Sequence, residues 1–99
     1  MALPIDSRSA DTDLLEIWLY VAQRSLTAAD RTVARLRERC EMLANNRGDG
    51  ELRPQIGPST RVFSAGEYVL FFRPHADSIG FMRIVHGGRD WTSFDWDVL

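Results

Sequence analysis

The residues able to do chemistry in this chain are few and mostly of one kind. All twelve basic residues are arginines, and lysine is absent. A guanidinium grips a carboxylate or phosphate in a bidentate fork but stays protonated near neutral pH, so it binds anions without shuttling protons. A centre that cleaves a phosphodiester needs cations against the phosphate and a proton-transfer pair. Glu67, Arg73 and His86 are the candidates, a thin set. His86 has a second reading, because in His86-Gly87-Gly88-Arg89-Asp90 the glycines suit a tight strand exit, with Arg89 and Asp90 bracing the turn. His75 reads as a solvated turn residue. Cys40 reads as a small buried hydrophobe on a helix. As the single cysteine it excludes an internal disulfide. Nothing in the pattern calls for a metal or cofactor.

These groups must be positioned by one small domain. Ninety-nine residues, 44% of them hydrophobic and 26% charged, fit an ordinary globular chain with a single core. The net charge of −2 argues against a protein that grips nucleic acid by bulk charge, and against sequence-specific DNA binding by this chain alone. The N-terminus lacks the basic start and long apolar stretch of a signal peptide. The longest apolar run, Tyr68 to Phe72, is too short to cross a membrane. A reducing cytoplasm is the expected location.

The first half of the chain reads as helical. Leu3 to Asp6 is a candidate short strand, weakened by Pro4. Asp11, Thr12 and Asp13 offer N-caps for a first helix whose apolar stripe is Leu14, Ile17, Trp18, Val21 and Ala22. Thr27 and Asp30 have capping-box spacing ahead of a second helix. Its stripe is Ala29, Val33, Leu36, Cys40 and Leu43, and its outer face carries Arg31, Arg35, Arg37 and Arg39 among glutamates. The short link between them predicts an antiparallel hairpin. Residues 47–59, rich in glycine and proline, read as an irregular loop.

Three strands follow in the reading: Thr60 to Ser64, a turn at Ala65-Gly66, Glu67 to Arg73, a turn at His75 to Asp77, and Ile79 to His86. Such spacing predicts an antiparallel meander covered by the helix hairpin. The fold class is therefore α+β, a two-layer sandwich in the order (β)ααβββ. It forms one domain over residues 1–99, with its core from about 10 to 91 and an aromatic, acidic tail over 92–99. Strict alternation puts Val62, Tyr68, Leu70 and Phe72 towards the helices. It leaves Arg61, Phe63, Phe71 and Arg73 on the open face, joined there by Phe81 and Arg83 if Arg83 points outward. That cluster, with His86, Arg89 and Trp91, is the expected target-binding surface. Leu15, Leu19, Leu26 and Met42, apolar residues that the helical core stripe does not use, are the expected docking surface for a second partner.

Four segments carry a family resemblance. Asp13-Leu14-Leu15-Glu16-Ile17-Trp18-Leu19-Tyr20-Val21-Ala22 resembles the first helix of RelE/ParE toxins, which typically reads "DL..IW.Y.A". Glu51-Leu52-Arg53-Pro54, Arg61-Val62-Phe63 and Gly66 through Arg73 are similar to the loop and middle strands of that family. Arg83-Ile84-Val85-His86-Gly87-Gly88-Arg89-Asp90 resembles the ending of the ParE branch, "R(V/I)LHG.RD". Together they span about residues 10 to 91.

The resemblance implies the toxin of a type II toxin–antitoxin pair, associated with plasmid stabilisation or stress response. The ParE branch poisons DNA gyrase by binding it, whereas the RelE branch cuts messenger RNA on the ribosome. Fold does not separate them. RelE-like nucleases are rich in lysine and arginine and often place an arginine directly after the middle-strand tyrosine. Here Val69 follows Tyr68. The reading is therefore a gyrase inhibitor, not an enzyme, neutralised by a ParD-like antitoxin. The alternatives are a ribosome-dependent endonuclease and a re-purposed, non-toxic scaffold. Two features depart from the family pattern: the short first strand with Pro4, and the tail containing Trp91, Phe94 and Trp96.

Overall fold

Two helices and five strands are described by a computed structural model covering residues 4–5, 8–46, 48–76 and 78–88. In chain order they are β1 (Pro4–Ile5), α1 (Arg8–Ala22), α2 (Leu26–Asn45), β2 (Glu51–Leu52), β3 (Arg61–Ala65), β4 (Tyr68–Pro74) and β5 (Ile79–His86). The sheet order is β1-β5-β4-β3-β2. β1 runs parallel to β5, and the other neighbours are antiparallel. The expected α+β sandwich is what forms, with a helical hairpin on one face of the sheet.

The helix starts differ from the expected caps. α1 begins at Arg8, ahead of Asp11, Thr12 and Asp13. Asp13 therefore lies in the second turn, where it is buried. α2 is capped by Ser25, whose hydroxyl accepts from the Ala28 N–H at 3.1 Å, and not by Thr27. Asp30 serves the hairpin instead: the Trp18 indole N–H donates to its carboxylate at 2.8 Å, tying α1 to α2.

The main core lies between helices and sheet. Leu14, Ile17, Leu36, Cys40 and Leu43 meet Leu70, Phe72, Ile79, Phe81 and Ile84 there. Each fully buried leucine or phenylalanine contributes about 2–3 kcal/mol of transfer free energy. The opposite face of the sheet is also closed. Phe71, Met82 and Val85 are buried there beneath Ile56, from the segment read as an irregular loop. That segment contains β2 and a turn whose Arg53 N–H donates to the Thr60 carbonyl at 2.8 Å.

Four face assignments reverse, those of Arg61, Val62, Phe63 and Phe81. The β3–β4 hairpin turns on Gly66 and Glu67, with Gly66 at φ +62°. The resulting register pairs Val62 with Phe71 and Phe63 with Leu70. Cross-strand partners share a face, so Phe63 points to the helices and Val62 away from them. On β5, Phe71 pairs with Arg83 and Phe72 with Phe81, leaving Met82 as an extra residue in a bulge. The bulge resets alternation, so Phe81 and Ile84 both join the helix-side core and Arg83 swings to the edge. Phe71 is 0% exposed and Phe81 3%. Among the described residues the sheet has a core on each side, so Phe71 and Phe81 do not form an exposed face.

Candidate functional site: two grooves and a leucine ridge

Each of the three sheet arginines has an internal task. Arg61 donates to the carbonyls of Gly48 and Gly50 at 3.2 and 3.1 Å, holding the α2–β2 connection. Arg73 donates to the Thr60 hydroxyl at 3.1 Å. Arg83 forks onto Asp13, Nε to Oδ2 at 2.8 Å and Nη2 to Oδ1 at 2.9 Å. The same Asp13 carboxylate accepts the Ile84 backbone N–H at 2.8 Å, an edge donor of β5 that no strand takes. Three charge-assisted bonds thus satisfy a carboxylate that is 5% exposed. The sheet arginines do not converge, so the expected cluster of Arg61, Arg73 and Arg83 is corrected to three separate braces.

Glu67 and His86 do come together. The Gly87 N–H donates to the Glu67 carbonyl at 2.8 Å, and Tyr68 pairs with His86 across the strands. The Tyr68 and His86 rings meet edge to face, with centroids 5.8 Å apart. These residues, with Glu16 and Tyr20 of α1 and Arg24 of the link to α2, line an open groove of about 630 Å³. Tyr20 stands 63% exposed on its wall.

The protonation chemistry of this groove is restricted. His86 Nδ1 accepts from the Gly88 N–H at 3.1 Å, which leaves the proton of a neutral ring on Nε2. The Tyr68 hydroxyl is pushed above its usual range, first by burial and then by the nearby Glu67 and Tyr20. It stays a phenol at neutral pH. Arg73, five residues along β4 from Tyr68, is about 17 Å away along the strand. Glu67, Arg73 and His86 therefore do not form one centre. Burial pushes the Cys40 thiol up to about 12, which keeps it un-ionised. Among the described residues no group of three His, Cys, Asp or Glu side chains could hold a metal ion.

Three of the four residues expected at the partner surface are exposed. Leu15, Leu19 and Leu26 are 58%, 51% and 64% exposed. Leu15 and Leu19 are one helical turn apart on α1, and Leu26 opens α2 just beyond the hairpin link. Met42 is half-buried against the main core and does not belong to this ridge. Sequence reasoning missed Tyr20, which the apolar stripe of α1 passes by. Its signal was its position three residues beyond Ile17, which brings it over the end of β5. Arg89 and Trp91, also expected at the target surface, lie outside the described residues, as does the tail.

The described residues thus form a helix hairpin on a largely antiparallel sheet, with an exposed leucine ridge on the hairpin. Nine chains among solved structures match this chain. One is described as the chromosomal ParDE toxin–antitoxin system from P. aeruginosa, at 27% identity and a TM-score of 0.69, covering 87% of this chain and 95% of that one. Nothing among curated proteins matches. The family model for the ParE toxin of the type II toxin–antitoxin system parDE matches residues 6–91, and the chain belongs to that family. Among the described residues no helix is long and apolar enough to cross a membrane.

Proposed function

We propose that this ParE toxin acts in the cytoplasm by binding DNA gyrase, without catalysis of its own, and is neutralised by a ParD-like antitoxin. The observation that carries the non-catalytic reading is the separation of Arg73 from Glu67 and His86. Arg73 is thus not in place to neutralise the charge of a phosphodiester transition state at Glu67 and His86. Val69 after Tyr68, where RelE-like nucleases often have an arginine, supports the same reading. The groove of Tyr20, Tyr68 and His86 is the proposed target contact, since exposed aromatic groups around a fixed ring make good anchors. Arg89 and Trp91 follow directly in sequence and belong to the same proposal.

The antitoxin is proposed to lay an amphipathic helix along Leu15, Leu19 and Leu26. Leucines this exposed on a small domain are a solubility liability that a partner helix removes. The test is to add purified toxin to a gyrase supercoiling assay and, in parallel, to translating ribosomes. The expected result is blocked supercoiling or trapped cleavage complexes, with messenger RNA intact. Ribosome-dependent cleavage with gyrase unaffected would establish the endonuclease reading instead. Activity in neither assay would mark a re-purposed scaffold.

A further inference from the structure

The sheet has two edges, and they are guarded unequally. On the β5 side, β1 pairs with Ile79 and Gly80, and the Asp13 carboxylate occupies the Ile84 N–H. On the β3 side, β2 pairs only with Arg61 and Val62. There the incoming chain leaves the edge at Gly50, whose φ of +88° turns it away. Beyond that point the edge is open.

Register fixes which groups face outward. Two-residue closure of the hairpin makes Ala65 and Tyr68 a hydrogen-bonded pair. Alternation then bonds Phe63 to β4 and turns Val62 and Ser64 outward. Val62 meets β2. Ser64, which is exposed, presents its N–H and C=O to solvent, and among the described residues no hydrogen bond takes them.

A pocket lies on each side of this edge. The helix-side groove, about 610 Å³, is lined by Arg35 and Arg39 of α2, with Ala65 and Tyr68 of the hairpin. The pocket on the other side, about 370 Å³, is lined by Val62, Ser64, Val69 and Phe71. A strand added beside Ser64 would send alternate side chains into the two pockets. Arg35 and Arg39 make no ion pair among the described residues, and Arg39 donates to the Met42 sulfur at 3.8 Å. Glu38 and Glu67 also line the helix-side groove. From helical spacing, Glu38 lies on the solvent side of the arginines, and Glu67 sits at the tip of the turn. The group nearest an added strand is therefore the arginine pair.

We infer that the free end of β3 is a docking edge for an extended, acidic segment of a partner polypeptide, its carboxylates against Arg35 and Arg39 and its apolar side chains over Val62 and Val69. The inference rests on the proposed toxin–antitoxin reading only in taking the antitoxin as the natural source of that segment. The test needs no antitoxin, so its failure leaves that reading to its own assays.

The probe is a capped hexapeptide alternating glutamate with valine, titrated into the isotope-labelled full chain and followed by amide NMR. Shifts should centre on Ser64 and its β3 neighbours, and exchange of the Ser64 amide should slow about tenfold on saturation. The affinity should fall about tenfold in Arg35→Glu/Arg39→Glu, rise severalfold in Glu67→Gln, and weaken with added salt in the unaltered chain. A lysine–valine hexapeptide should not bind. Ser64→Pro, which removes only an outward donor, should abolish binding while the remaining amide spectrum is kept. Shifts centred on Ile84 to His86 or on Leu15 and Leu19, salt-independent binding, or no shift at about millimolar peptide would overturn the inference.

Discussion

The carboxylate of Asp13 and the guanidinium of Arg83, seventy residues apart in sequence, meet in a bidentate pair at 2.8 and 2.9 Å. The pair joins the first helix to the last strand, and the same carboxylate holds the Ile84 amide. The two segments that carry the family resemblance most clearly are thus one structural unit.

Removing one member of that unit leaves the other uncompensated. Asp13→Ala strands a half-buried guanidinium and an edge amide, and should cost about 3–5 kcal/mol in urea unfolding. Arg83→Met leaves the carboxylate with the Ile84 N–H and should cost less. The double variant should be less destabilised than the sum of the two single ones. Strict additivity would show that the pair is not coupled.

Arg61 and Arg73 brace loops, so their loss should appear first in stability. Arg61→Ala and Arg73→Ala should each lower the unfolding free energy by about 1–2 kcal/mol. Tyr20→Ala and His86→Ala, at exposed positions, should leave the melting temperature within about 2 °C while weakening gyrase inhibition. A reversal, with the arginines silent in stability and essential for inhibition, would restore them to the target surface.

The leucine ridge gives the complementary pattern. Leu15→Ser, Leu19→Ser and Leu26→Ser should change stability by less than about 0.5 kcal/mol, because little of each side chain is buried. Each should weaken antitoxin binding about tenfold or more, measured by calorimetry on the purified pair. Met42→Ser should instead destabilise the fold, since its side chain packs on the core.

Cys40 predicts a pH effect with a defined sign. Its folded-state value of about 12 lies above the ordinary 9.0. The unfolded thiol therefore ionises first as pH rises, so the contribution is complete below about pH 9 and is lost towards pH 12. Between those limits the unfolding free energy should fall by on the order of 1 kcal/mol per pH unit more than in Cys40→Ala. In the native protein the thiol should react with a disulfide reagent only at the rate of opening.

Much of the fold was legible because helical periodicity and turn residues are local signals. Leu14, Ile17, Leu36, Cys40 and Leu43 were read correctly as core from spacing alone. The last strand expected from Ile79 to His86 coincides with β5. Side-chain facing on the sheet was not legible, because it depends on two non-local facts. One is the register that closes the hairpin on Gly66 and Glu67. The other is the Met82 bulge, which no turn residue announces. A shift of one residue exchanges the faces, so Phe63 and Phe81 were read as surface and are core-side. The leucine ridge was legible, Met42 excepted, because exposure on a helix follows from its own periodicity.

The bulge at Met82 also sets a rule of transplantation. A strand with perfect two-residue rhythm would carry Arg83 and Ile84 to opposite sides of where they now lie, parting the guanidinium from Asp13 and lifting Ile84 out of the core. The ending of this chain is thus written in two phases, one before the extra residue and one after it. Grafting Arg83 through His86 onto another scaffold without that frameshift would transfer the letters and scramble their meaning. Deleting Met82 would leave an unbroken ladder with Phe81 still opposite Phe72 and Arg83 still opposite Phe71, so its loss should cost one buried side chain and leave both phases in place.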